Sequence, residues 1–163
     1  MSNVGVEAVA VIAGSFLSGA MMSVYLLAVP SLFETTTDPR QLVRHWSRIF
    51  LNGHIKGPII CLSTTAMYGI ATVSKYAAGE NWGVFAAAGA ITVSMVPFTL
   101  TIMAPTNNAL FRLEEEVKRG RTPVWTDAER LVRRWNRFNA TRAFCPLAGA
   151  VLGLLGILSI ASF

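Results

Sequence analysis

The chain has 163 residues, and the span 1–163 reads as a single domain. It is 53% hydrophobic and only 14% charged, against roughly 25% charged residues in soluble domains, so a water-soluble globule is not expected. The net charge of +5 sits between apolar runs and no nucleic-acid motif accompanies it, which points to anionic lipid headgroups and away from nucleic acid.

Four apolar runs are long enough to cross a hydrocarbon core of about 30 Å, which takes roughly 20 helical residues. They are Val4–Phe33, Ile55–Val73, Trp82–Ala104 and Ala143–Phe163. The expected fold is therefore all-α: an integral membrane four-helix bundle, with short amphipathic interfacial helices in the two basic loops. The first run lacks a basic leader and carries Glu7, so a cleaved signal peptide is not expected. Gly14/Ser18 and Ser15/Gly19 form small-xxx-small pairs suited to close helix approach. Pro30 is expected to kink or end this run near Phe33.

Asp38-Pro39 reads as an N-cap followed by the first helical position. From Pro39 to Asn52, Arg40, Arg44 and Arg48 share one face, while Leu42, Trp46, Ile49 and Phe50 share the other. That pattern suits a helix lying in the membrane interface. Asn52-Gly53 is expected to break it, and Gly57-Pro58 to make the entry to the second span irregular near His54. Cys61 and Cys145 fall inside apolar runs and read as packing residues. Trp82 and Trp125 read as interfacial anchors.

The third run ends in Pro97-Phe98-Thr99-Leu100-Thr101-Ile102-Met103-Ala104-Pro105-Thr106-Asn107. Membrane helices tolerate proline where neighbouring groups satisfy the freed carbonyls, so this stretch reads as the place where a polar pocket meets the bilayer. The helix is expected to continue through Lys118 and to end at Gly120. Thr126-Asp127-Ala128-Glu129 reads as a capping box that opens a helix running on into the fourth span. On that helix Trp135, Asn139 and Arg142 fall at i, i+4 and i+7, on one face. Gly149 and Gly153 form a GxxxG match, expected to pack against a neighbouring span, with Gly14–Gly19 the candidate. The loop between spans two and three holds only Lys75 as a basic residue, so the positive-inside rule puts both basic loops in the cytoplasm. Both termini then face the lumen or exterior.

The polar residues hardest to explain by solvation collect at one membrane face. They are His54, Lys56, Thr106, Asn107, Asn139 and Arg142, with Trp46 and Trp135 close by. Ionisable groups at membrane depth are costly and usually functional. Each also has a plainer reading: a helix cap for His54, snorkelling for Lys56 and Arg142, cross-helix bonds for the asparagines, belt aromatics for the tryptophans. His45 and His54 have no standard ligand spacing, so no metal is expected. No P-loop, Rossmann fingerprint, nucleophile elbow or CxxCH is present, so no cofactor is expected.

Three motifs carry a resemblance. Trp46…Phe50-x-x-Gly53…Pro58, Pro97-Phe98-Thr99…Met103-x-Pro105-Thr106-Asn107-x-x-Leu110 and Trp135-x-x-x-Asn139-x-x-Arg142 resemble the pattern of the anthrone oxygenase-like family of small four-span membrane proteins. Phe50 stands where that pattern has a tyrosine, so no hydroxyl is available there. The resemblance implies oxidation of an anthrone to an anthraquinone by O₂ in aromatic polyketide metabolism, without a known flavin or haem. An anthrone is acidic at its methylene carbon because deprotonation gives an aromatic phenolate. The protein then needs a base, a positive site for the oxyanion and a dry aromatic pocket. His54 is the expected base, since imidazole exchanges protons near neutral pH. Arg142 would hold the oxyanion with help from Asn107 and Asn139. Trp46, Phe50, Met103, Thr106 and Trp135 would enclose the rings. The expected partners are an apolar aromatic molecule, O₂ and the bilayer, and homo-oligomerisation is left open. Two other readings stay open as well: a carrier of a small apolar molecule without turnover, and a structural membrane partner.

Overall fold

The structure is a computed structural model that describes residues 4–159. Within them four helices are each long and apolar enough to cross a membrane: α1 Gly5–Thr35, α2 Pro39–Ala77, α3 Gly83–Lys118 and α4 Trp125–Ile157. There is no strand among the described residues. The expected fourth span reached Phe163, and its last residues, 160–163, lie outside the described range. α1 and α3 each pack on both α2 and α4, and α2 and α4 touch between them. Short connections make successive helices antiparallel, as in other up-down bundles.

The helices are longer than a bilayer needs. The 39 residues of α2 extend about 58 Å at 1.5 Å per residue, against a hydrocarbon core of about 30 Å. The outer surface shows where the change comes. Ile12, Leu27, Ile55, Val73, Leu100, Phe144 and Val151 are exposed apolar side chains in one belt. Below Leu51, Ile102 and Phe144 the outward residues are charged, as at Arg44, Arg48, Arg112 and Arg137. The bundle thus has an apolar half and a polar-surfaced head, and each has its own core. In the apolar half Ala10, Tyr68, Val84, Phe85 and Ala88 pack together. In the head Leu42, Val43, Trp46, Leu110, Val132 and Trp135 do so.

Several local expectations hold. Asp38 caps α2, its carboxylate accepting from the Arg40 N–H at 2.9 Å. Gly120 ends α3 with φ of 80°, the left-handed C′ conformation that glycine adopts without strain. Cys61 and Cys145 are both free, and the Cys61 thiol meets the Thr92 carbonyl at 3.5 Å.

Other expectations are corrected. Asn52-Gly53 does not break the chain; α2 is continuous from Pro39 to Ala77. The Asn52 amide donates to the Arg48 carbonyl at 2.8 Å and stays in helical register. A glycine costs a helix only about 1 kcal/mol, which packing along the rest of α2 outweighs. The amphipathic stretch therefore prolongs the span into the head and does not lie flat in the interface. Thr126 is not a capping residue, because α4 begins at Trp125 with Val124 as its N-cap and no side-chain cap bond. Trp125 lies about 25 Å along α4 from Arg142 and packs against the core of the head, so it is not an anchor at the apolar boundary. Gly149 packs on α3: a Cβ there would stand 2.7 Å from the Ala88 carbonyl. Gly153 faces the Tyr68 ring and Val11. Gly14 does approach α4, at Pro146 and Ala150, but Gly19 has nothing within 4 Å.

Candidate active site

Prolines shape the site. In α1 the helix widens to a π turn over Val24–Ala28, just before Pro30. In α3 it does so over Thr99–Met103, just before Pro105. A proline ring clashes with the carbonyl four residues back and supplies no N–H to it. That carbonyl belongs to Leu26 in one case and Thr101 in the other, and each lies inside its π turn. The wider turn relieves the clash and leaves carbonyls without a backbone partner. Both π turns sit where the outer surface changes from apolar to charged.

α4 supplies the missing donors. The Val29 N–H bonds to the Val24 carbonyl, where a regular helix would use Tyr25. The Tyr25 carbonyl instead accepts from the Asn136 amide at 3.3 Å. One turn on, the Asn139 amide donates to the Met21 carbonyl at 2.9 Å. That bond turns the Asn139 side-chain oxygen toward Arg142. The oxygen accepts from Arg142 Nη2 at 2.9 Å and from Nε at 3.3 Å. Arg142 Nη1 donates to the Thr99 hydroxyl oxygen at 2.9 Å. The Thr99 hydroxyl itself donates to the Met95 carbonyl at 2.7 Å, so its lone pair is what Arg142 meets. The guanidinium thereby joins α4 to α3, and the Asn139 amide that orients it joins α4 to α1.

Every acceptor on this guanidinium is neutral, and among the described residues Arg142 makes no ion pair. A cation held at membrane depth by dipoles alone keeps its charge available to an anion. The guanidinium is held from two sides, by Asn139 and by Thr99.

The aromatic residues gather below it. Trp46 and Trp135 meet edge to face with centroids 6.0 Å apart. Phe111 lies 5.2 Å from Trp46, and Phe50 lies 5.5 Å from it. Met103 belongs to the same core cluster and is fully buried. Thr106 and Asn107 are buried beside it on α3. Among the described residues no hydrogen bond joins either to Arg142 or Asn139, and the Thr106 hydroxyl and the Asn107 side-chain oxygen meet no partner.

His54 stands apart from this group. It is exposed, and its Nδ1 lies 2.9 Å from the Leu51 carbonyl. The ring stacks on Phe50 at 5.5 Å with an interplanar angle of 9°. An Nδ1–H bonded to that carbonyl leaves Nε2 as the basic atom. Depth along the bundle follows from Gly14, which approaches both Thr64 and Pro146. His54 lies ten residues below Thr64, as Asn136 lies ten below Pro146. The imidazole is thus level with the site but on the outer surface, joined to it by the row Phe50, Trp46, Trp135. Lys56 is also exposed there. An open depression of about 620 Å³ on the outer face of α4, lined by Arg130, Arg133, Arg134 and Arg137, contains none of these residues.

The sequence reading missed Thr99 and Asn136. The signal was present in part: Thr99 lies between two prolines, where freed carbonyls and hydroxyls collect. Asn136 adds a second amide to the same helix face region as Asn139.

Comparison with known proteins bears on this arrangement. The family described as anthrone oxygenase matches residues 46–152. The chain belongs to the anthrone oxygenase family. Individual relatives agree along nearly its whole length. It is 48% identical over 162 residues to monooxygenase hypC of Dothistroma septosporum, covering 99% of this chain and 88% of that protein. It is 48% identical over 163 residues to the noranthrone monooxygenase of Aspergillus flavus, covering 99% and 78%. It is 45% identical over 159 residues to anthrone oxygenase AgnL2 of Paecilomyces divaricatus, covering 96% and 97%. No solved structure matches the chain. Trp46, at the first matched position, and Arg142, ten residues before the last, both lie within the anthrone oxygenase match.

Proposed function

We propose that this anthrone oxygenase family member oxidises an anthrone-like polycyclic phenol to its quinone with O₂, in aromatic polyketide metabolism. The observation that carries the chemistry is the Arg142 guanidinium, held only by neutral oxygens of Asn139 and Thr99. Deprotonating the methylene carbon leaves a phenolate oxygen, which the guanidinium faces and stabilises. The electron-rich anion passes one electron to O₂, and the two radicals combine at the former methylene carbon as a peroxide anion, which takes back the first proton to become the hydroperoxide. Loss of the remaining C–H proton with cleavage of the O–O bond gives the carbonyl and one water. One oxygen atom enters the product and the other leaves as water. The protein binds, orients and supplies charge. Asn139, whose amide is engaged by Met21, acts by holding Arg142. Trp46, Phe50, Met103, Thr106, Asn107 and Trp135 enclose the rings. His54 Nε2 takes the first proton as substrate arrives from the lipid side along Phe50.

The test is purified protein with an anthrone, O₂ and a strong chelator, with quinone followed by absorbance. Anthrones oxidise slowly in air, so a no-enzyme control sets the threshold. Turnover well above that control is expected. Loss of a general base typically costs about a hundredfold or more in rate, so His54→Ala is expected to lose that much. Wild-type turnover in that variant would remove His54 from the mechanism. No turnover above the control would favour a binding protein without chemistry.

We further propose that both basic loops are cytoplasmic and that both termini lie on the opposite side, on the basis of the Lys/Arg imbalance. Single cysteines at Gly79 and Arg121, in a background lacking Cys61 and Cys145, should label from opposite faces of sealed vesicles. Labelling from the same face would refute this topology.

A further inference from the structure

The outer face of α4 carries four arginines that the candidate active site does not use. Arg130, Arg133, Arg134 and Arg137 line the open depression of about 620 Å³, and all four are exposed. Two of them are already paired with a carboxylate: Arg130 meets Asp127 at 2.9 Å and Arg133 meets Glu129 at 2.8 Å. Among the described residues Arg134 and Arg137 make no ion pair. Arg134 lies over the Phe138 ring, 5.4 Å from its centroid, and that ring meets Phe98 of α3. Arg133 lies over the Phe33 ring of α1 at 4.2 Å. Aromatic rings thus seat guanidinium groups toward both neighbouring helices. The two unneutralised cations are neighbours at i and i+3.

The depression begins where the apolar belt ends. Asn136 reaches the Tyr25 carbonyl of α1, and Leu26 and Leu27, next along, are 58% and 67% exposed. Arg142 bonds to Thr99 on the antiparallel α3, which puts Ile102, another exposed apolar residue, level with Asn139. The backbones at Arg137 and Arg134 then lie about 3 Å and 8 Å below Ile102 at 1.5 Å per residue. That is the layer of about 5–7 Å that headgroups occupy on each side of the hydrocarbon.

The same face of α4 turns apolar above the depression. Phe144, Ala148 and Val151 fall at i+7, i+11 and i+14 from Arg137, which is the same side of the helix. All three are exposed. One strip of surface therefore offers two free cations below and an apolar track above. The molecule that complements both halves has an anionic head and a hydrocarbon tail. A free phosphate or an acidic peptide matches only the lower half. The guanidinium fork suits a phosphodiester in particular, because it meets two phosphate oxygens at once.

We propose that this strip is a binding site for one anionic phospholipid. Its phosphodiester sits between Arg134 and Arg137, and an acyl chain lies along Phe144, Ala148 and Val151. A lipid seated there covers the outer side of the α4 segment whose inner side carries Asn136 and Asn139. The site does not depend on the oxidation reading, only on the bundle standing in a bilayer.

The experiment is native mass spectrometry of the full chain in mild detergent. The probes are a phosphatidylserine and the phosphatidylcholine with the same acyl chains. The proteins are wild type, Arg134→Gln/Arg137→Gln and Arg44→Gln/Arg48→Gln. The last pair removes the same charge from exposed positions outside the depression. Wild type is expected to retain one phosphatidylserine where phosphatidylcholine is lost. Arg134→Gln/Arg137→Gln is expected to weaken that binding roughly tenfold or more, since each arginine near an anionic headgroup contributes about fivefold. Arg44→Gln/Arg48→Gln should leave it nearly unchanged. Equal losses in the two double variants would reveal only diffuse attraction to the basic head and overturn the site. Equal retention of the two lipids by wild type would overturn it as well. Glycerophosphoserine, the headgroup without its chains, and a glutamate peptide serve as competitors. If either displaces the lipid at the concentration at which the lipid itself binds, the apolar track plays no part and the lipid assignment fails. Arg137→Gln alone reads the same affinity should the double variant fail to fold. Anthrone turnover is not the readout, so failure of the oxidation reading leaves this result unaffected.

Discussion

Arg142→Leu is expected to lower kcat for anthrone oxidation by about 10²- to 10³-fold, the usual cost of removing a principal oxyanion donor. The fold should survive. The Asn139–Met21 and Asn136–Tyr25 bonds that tie α4 to α1 do not use the guanidinium and remain. Arg142→Lys keeps the charge but loses the fork that meets Asn139 through Nε and Nη2 and Thr99 through Nη1, so it is also expected to fall, by less. Asn139→Asp provides the converse. A carboxylate there would pair with Arg142, neutralise its charge and abandon the Met21 carbonyl. Steady-state kinetics on the three variants, beside their thermal unfolding, checks the set. An Arg142→Leu protein that folds and turns over like wild type would remove the guanidinium from the chemistry.

Gly149→Val is expected to destabilise the bundle by about 3 kcal/mol. A Cβ at Gly149 would stand 2.7 Å from the Ala88 carbonyl and closer still to the Thr92 hydroxyl. A backbone atom cannot give way as a flexible side chain can, so α3 and α4 must move apart. The separation would pass along α4 to the Arg142–Thr99 bond, and activity should fall with stability. Gly69→Ala is the control. Nothing lies within 4 Å of its added methyl group, and alanine is the better helix former by about 1 kcal/mol. Thermal unfolding in nanodiscs should therefore separate the two variants, with Gly149→Val well below wild type and Gly69→Ala at or above it. Equal midpoints would show that the α3–α4 contact is looser than the geometry implies.

The four spans were legible because membrane crossing leaves a long apolar run that little else mimics. The stripe of Trp135, Asn139 and Arg142 was legible because helical periodicity alone puts those residues on one face. The Asn139–Arg142 bond follows from that stripe. What Arg142 meets on α3 was not legible. Thr99 becomes its partner only after the π turn and the α3–α4 register are set, and both depend on tertiary packing. Gly53 misled for the reverse reason: local propensity argued for a break, and the packing of a 39-residue helix overrode it. The GxxxG pair announced close approach without naming the neighbour. Its two glycines in fact face different helices. His54 shows the limit of reasoning by level. The topology does bring it to the depth of the site, but the angular position of a residue on a straight helix decides whether it points inward. At residue 54 it points out.

The most direct test of oxygenation at the Arg142 site is isotopic. The purified protein would oxidise an anthrone under ¹⁸O₂ in ordinary water, with rapid quenching and mass spectrometry of the quinone beside no-enzyme and Arg142→Leu controls. The mechanism predicts one ¹⁸O atom in the new carbonyl, formed faster than in either control. Quinone that forms no faster than in buffer, or whose new oxygen comes from water, would contradict it.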